Sequence, residues 1–178
     1  MRKVFAALAI VFLGAAPAFA GDFECVWRNM PTDVRAAFTR NTVTSEDINT
    51  VLNSGVLTEP ILVAAMQPCA IEDSEATQLG QYVAARALAL AQRSRLITQH
   101  GWHESQFIVL MAPVTADERE AVWRSASGDQ GVDTSSVAMR FRTSAQGQGL
   151  TDEAALRSAM EFMYAQVVVE RLAPAMRP

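Results

Sequence analysis

Lysine is all but missing from this 178-residue chain: Lys3 is the only one, and every other basic residue is arginine. Histidine is confined to His100 and His103, and cysteine to Cys25 and Cys69. Each shortage removes a class of chemistry. Two histidines cannot supply a three-histidine zinc site, and two distant cysteines without a Cys-x-x-Cys exclude a zinc ribbon or a dithiol redox motif. No glycine-rich phosphate loop, no Gly-x-Ser-x-Gly elbow and no Cys-x-x-Cys-His haem attachment occurs. No cofactor is therefore expected. A basic excess is lacking too, with 15 basic against 19 acidic residues, so a nucleic-acid partner is not expected. The preference for arginine and alanine is what GC-rich coding produces and carries no functional implication.

Long apolar runs are scarce as well. The one at Val4–Ala16 follows Arg2 and Lys3 and leads into Pro17 and Ala18-Phe19-Ala20. It is shorter than the ~20 residues that span a bilayer, and its charged start and small-residue end predict a secretory signal peptide over residues 1–20, cut after Ala20. Position 21 is Gly, not the Cys of a lipoprotein. The expected product is a periplasmic or secreted bacterial protein over residues 21–178, with no membrane span after cleavage. Without Arg2 and Lys3 it holds 13 basic against 19 acidic residues, a net charge of −6. In an oxidising compartment, Cys25 and Cys69 are expected to form a disulfide.

The remainder lacks sustained alternation of apolar and polar residues, whereas helix start and stop signals recur. An all-α single domain of about seven helices follows. Pro31 opens a helix that ends near Asn41, Gly55 stops the next, and Thr58 with Pro60 starts a third that Pro68 ends. Asp73 and Gly101 bound a long helix over 74–100. Its apolar line is Ala76, Leu79, Val83, Ala87, Leu90 and Ile97, with Gln78, Gln81, Gln92, Arg95 and Gln99 expected on a wet face. Pro113 ends or kinks a short apolar helix, and Thr115 with Glu118 forms a capping box for the next. A short helix over 134–142, a loop through "TSAQGQGLT" and a last helix over 152–173, capped by Thr151, complete the chain. The last helix is apolar around most of its girth and belongs in the core, or half in the core and half at a dimer interface. Asp33, Arg35, Ala37 and Arg40 recur at one constant offset as Asp117, Arg119, Ala121 and Arg124, the trace that duplication of a helical unit would leave.

The densest cluster of reactive side chains is "HGWHE", residues 100–104. His100, His103 and Glu104 are candidate ligands for zinc or a related metal. The spacing differs from His-Glu-x-x-His, because Gly101 interrupts the pair and the Glu follows both histidines. The competing expectation is a joint between helices: His100 closes one, where the dipole favours a cationic side chain, Glu104 opens the next, where it favours an anion, and Trp102 plugs the gap. The letters "ESQF", Glu104–Phe107, also resemble the Glu-Ser-x-Phe signature of lytic transglycosylases, all-helical enzymes of the bacterial envelope. That resemblance implies a lysozyme-like fold and a general acid/base role for Glu104 on peptidoglycan. No Asn-Pro follows Phe107, and no Gly-Leu-Met-Gln occurs. The methionines Met111, Met139, Met160 and Met163 have the helical spacing of core residues, and Arg93, Arg95, Arg140 and Arg142 that of surface charges beside acidic neighbours.

The function expected from these features is non-enzymatic: an exported envelope protein that binds or scaffolds another protein or envelope component, with a homodimer among the candidate assemblies. The alternatives are a peptidoglycan-acting lytic enzyme centred on Glu104 and metal binding at His100 and His103.

Overall fold

The computed structural model describes residues 22–41, 45–69, 71–129 and 131–173, so the leader assigned to residues 1–20 lies outside the described residues. Within them run nine α-helices: α1 (Phe23–Asn29), α2 (Thr32–Asn41), α3 (Ser45–Asn53), α4 (Glu59–Met66), α5 (Ala76–His100), α6 (Glu104–Met111), α7 (Ala116–Ala126), α8 (Ser135–Gly147) and α9 (Glu153–Leu172). Short 3-10 turns occupy Gln67–Cys69 and Asp73–Glu75. No strand occurs among the described residues, and the chain forms the expected all-α single domain. Among the described residues, no helix is long and apolar enough to cross a membrane.

α5 and α9 form the central pair. The first half of α5, with Leu79, Val83 and Ala87, shares one buried cluster with Val169 and Leu172 at the end of α9. Its second half, with Leu88 and Leu96, shares another with Leu156, Phe162 and Met163. The two helices therefore run antiparallel. Buried alanines on both, including Ala87, Ala89, Ala159 and Ala165, add little bulk and permit close approach. Each fully buried large side chain contributes about 1.5–3 kcal/mol through apolar area removed from water. α1, α2 and α3 pack on α5, while α7 and α8 pack on α9. The two helices that carry the repeated Asp-x-Arg pattern, α2 and α7, thus each lie against one member of the pair.

Local chemistry sets the helix ends. Glu118 N donates to Thr115 Oγ1 at 3.3 Å and Thr115 N donates to Glu118 Oε2 at 2.9 Å, which is the expected capping box at α7. Asp152, one residue after the expected Thr151, caps α9 by accepting from Ala154 N at 3.0 Å and Ala155 N at 3.2 Å. α5 begins at Ala76, because residues 73–75 take a 3-10 turn in which Glu72 N donates to Glu75 Oε2 at 2.9 Å.

Several expectations need correction. The expected elements did not include α1, whose cap Asp22 accepts from Cys25 N at 2.9 Å and whose Phe23, Val26 and Trp27 are buried. Gln92, expected on a wet face, is 1 % exposed. A single wet face requires a helix packed from one side, and α5 is packed from several. Ile97, expected on the apolar line, is exposed, and Leu96 beside it is the buried residue of that turn. α8 continues to Gly147 through part of the expected loop. Buried Phe141 and Ala145 anchor the extra turn, and Thr143 Oγ1 donates back to Met139 O at 3.0 Å. α9 is a core helix as expected, and Leu156, Phe162, Met163, Val167, Val169 and Leu172 are all buried within one chain. A dimer gains no argument from its apolar girth.

Cys25 and Cys69 stand at disulfide distance, with sulfurs 2.05 Å and Cα atoms 5.7 Å apart, and tie α1 to the turn after α4. Beside them Tyr82, buried in α5, donates its hydroxyl to the Glu24 carboxylate, which also accepts from Arg86 Nη2 at 3.3 Å. Burial pushes the Tyr82 phenol well above its ordinary range; the bond to Glu24 and its charge add to this, and Arg86 opposes it.

Candidate functional site

The joint "HGWHE" forms between α5 and α6. His100 is the last residue of α5, and Gly101 follows with φ +66°, the left-handed conformation that a Cβ disfavours. Trp102 N donates to Leu96 O at 3.1 Å, closing the helix end, and its indole is 3 % exposed. His103, exposed, occupies the N-cap of α6, and its backbone N donates to Gln106 Oε1 at 2.8 Å. The ring of Trp102 meets Phe107 edge-on at 5.2 Å, and Phe107 meets Phe162 of α9 at 5.0 Å. Three aromatic rings therefore key the joint into the core, each contact adding about 0.5–1.5 kcal/mol beyond area burial.

Glu104 starts α6 on the outside of this stack. Its carboxylate pairs with Arg93 of α5, whose guanidinium lies 5.4 Å from the centroid of the Phe107 ring. The pair spans the joint and links α5 to α6 across it. Glu104 is thus exposed and ion-paired, unlike a glycosidase acid, which sits in an apolar enclosure. Among the described residues, no group of three or more His, Cys, Asp or Glu side chains is arranged to hold a metal ion. Arg140 and Arg142 also have acidic partners: Arg140 pairs with Glu118 at 3.1 Å, and Arg142 pairs with Glu153.

α6 is apolar on both faces. Phe107, Leu110 and Met111 face the core, while Ile108 and Val109 point outward, 72 % and 55 % exposed. α6 packs on α8, which presents Met139 at 71 % exposure. Burial of one face explains the first set of residues and leaves the second without a structural role inside the chain. Periodicity could have found it, because eight consecutive residues containing Phe, Ile, Val, Leu and Met exceed what one buried stripe requires.

No protein-family model, curated protein or solved structure matches the chain. Its chemistry has to be read from its own side chains.

A second feature lies on the far side of α8. A groove of about 330 Å³ is lined by Arg142, Glu153, Arg157, Met160, Glu161 and Tyr164. Burial raises the Glu161 carboxyl above its ordinary range, and Arg157 opposes that rise. The Tyr164 ring packs edge-on against Phe141 at 6.0 Å. Of these, the sequence marks Arg142 as a surface charge and Met160 as a core methionine, and gives Glu153, Arg157, Glu161 and Tyr164 no role. Their signal is the spacing 153, 157, 161 and 164, a line of helical period along one side of α9.

Proposed function

We propose that the chain is an exported envelope protein of bacteria that acts by binding, as a non-enzymatic adaptor or scaffold, and that the outer face of α6 receives its protein partner. One observation carries this reading: Ile108 and Val109 stand exposed on a helix whose opposite face already fills the core. Exposed apolar side chains of this size cost solubility and are kept where a partner covers them. The joint supports the same role, because the aromatic stack and the Arg93–Glu104 pair hold α6 rigid and so reduce the ordering cost of association. The leader at residues 1–20 supports export to the periplasm or medium.

The test places a photo-crosslinking side chain at position 108 of the full chain, expressed with its own leader in bacteria. A discrete adduct is expected at 108 and absent when the probe replaces the exposed Thr77 at the other end of α5. No adduct at 108, or the same adducts at both positions, would overturn the proposal. An adduct of twice the chain mass would make the partner a second copy.

A further inference from the structure

We infer that the groove between α8 and α9 binds a small amphoteric ligand, a free amino acid or short peptide that presents an ammonium, a carboxylate and an apolar side chain. The lining is electrically balanced, with two arginines and two glutamates. Arg142 and Glu153 are joined in their own ion pair on the rim of the groove. Arg157 and Glu161 remain. They sit one turn apart on α9, about 6 Å along the axis at 1.5 Å per residue. The charge of Arg157 acts on Glu161, but the lining shows no ion pair that joins them. The order Arg before Glu is the weaker one for an intrahelical pair, since it sets both charges against the helix dipole.

A half-buried carboxylate and a free guanidinium fork, adjacent and unjoined, match the two charges that flank the Cα of an amino acid. The fork accepts a carboxylate through two parallel N–H bonds, and Glu161 accepts from the ammonium. Burial has already taken water from Glu161, so a ligand cation restores what desolvation removed. The lining also holds Met160, which adapts to irregular shapes, and Tyr164, whose ring packs against Phe141. These provide the apolar contact for a side chain. The volume is at the lower end for small-molecule sites and suits one or two residues rather than a long chain. The groove is separate from the outer face of α6, so the two proposals stand or fall independently.

The experiment is calorimetric titration of the full chain with the dipeptide alanyl-leucine, with its N-acetylated form and with its C-terminal amide. Saturable one-to-one binding of the free dipeptide is expected, weakened about tenfold or more by either cap, as loss of a hydrogen bond to a charged group implies. Arg157→Gln should weaken the free dipeptide to a similar degree yet leave binding of the amide unchanged. Glu161→Gln should do the same with respect to the acetylated form. Both substitutions put a good helix former on the exterior of α9, and far-UV circular dichroism checks that the fold is intact. Absence of saturable heat up to about 10 mM with alanyl-leucine, leucine and tyrosine would overturn the inference, a concentration at which even contacts worth about 3 kcal/mol would register. Binding that neither cap weakens would overturn it equally.

Discussion

Replacing Tyr82 with Phe removes one oxygen from the interior and little else. The ring remains, still tilted against Phe23 at 5.9 Å, and so does its apolar burial. What disappears is the hydroxyl that donates to Glu24. A hydrogen bond to a charged acceptor contributes about 1.5–3 kcal/mol. Here the lower end applies, because the Glu24 side chain is 31 % exposed and keeps its bond to Arg86, so water and the guanidinium recover part of the loss. The expected cost is about 1.5 kcal/mol, or roughly 3–6 °C in Tm for a chain of this size. Guanidinium denaturation at pH 7 measures it, with an unchanged slope as the sign that only stability has moved. The pH dependence supplies an independent check. The folded phenol titrates above its unfolded value of about 10, so the folded state holds this proton more tightly. Its stabilisation is complete below pH ~10 and fades as pH rises further, so the gap between the native protein and Tyr82→Phe narrows above that point. Equal midpoints at pH 7, or a gap that stays constant to pH ~11, would refute a buried donor bond at this position.

Two further outcomes follow from the same geometry. Replacing both Cys25 and Cys69 with Ala opens a loop of 44-residue separation, and the chain-entropy model sets the cost at about 4 kcal/mol. Denaturation of the variant beside the oxidised protein measures this, and a loss below about 1 kcal/mol would mean that the packing of α1 on α4 and α5 already restrains the unfolded chain. Gly101→Ala should cost about 1–2 kcal/mol for its left-handed backbone. No atom lies within 4 Å of the added Cβ, so the effect is conformational alone and Gly101→Asn should recover part of it in thermal melts.

The sequence marks the breaks between elements better than the sides they bury. Gly101, Pro113 and the Thr115–Glu118 box act through their immediate neighbours, so their consequences are legible without tertiary knowledge, and the structure places helix ends at each. Cys25 and Cys69 were legible because only one pairing exists. Which side of a helix is wet depends instead on what else packs there. Gln92 is buried because α5 has neighbours on several sides, and no wheel drawn on α5 alone contains that information. α1 was missed for a similar reason. Seven residues are too few to show a period, and their burial comes from α4 and α5 rather than from any pattern of their own. At the candidate sites, the concentration of His and Glu drew the eye to residues 100–104, whose backbone and aromatic parts prove to be structural. Ile108 and Val109, and the polar line of Arg157 and Glu161, leave a trace in the helical period, but which side of each helix is covered depends on packing that the sequence does not state.

The two buried clusters lie in series along the α5–α9 pair, and the Cys25–Cys69 link braces only the one that contains α1 and α4. The chain thus has an anchored end and an unbraced end, and the unbraced one carries the joint and α6. Sub-global opening draws on the unit with fewer covalent constraints, so amide exchange should set in at the cluster outside the link before it reaches the braced one.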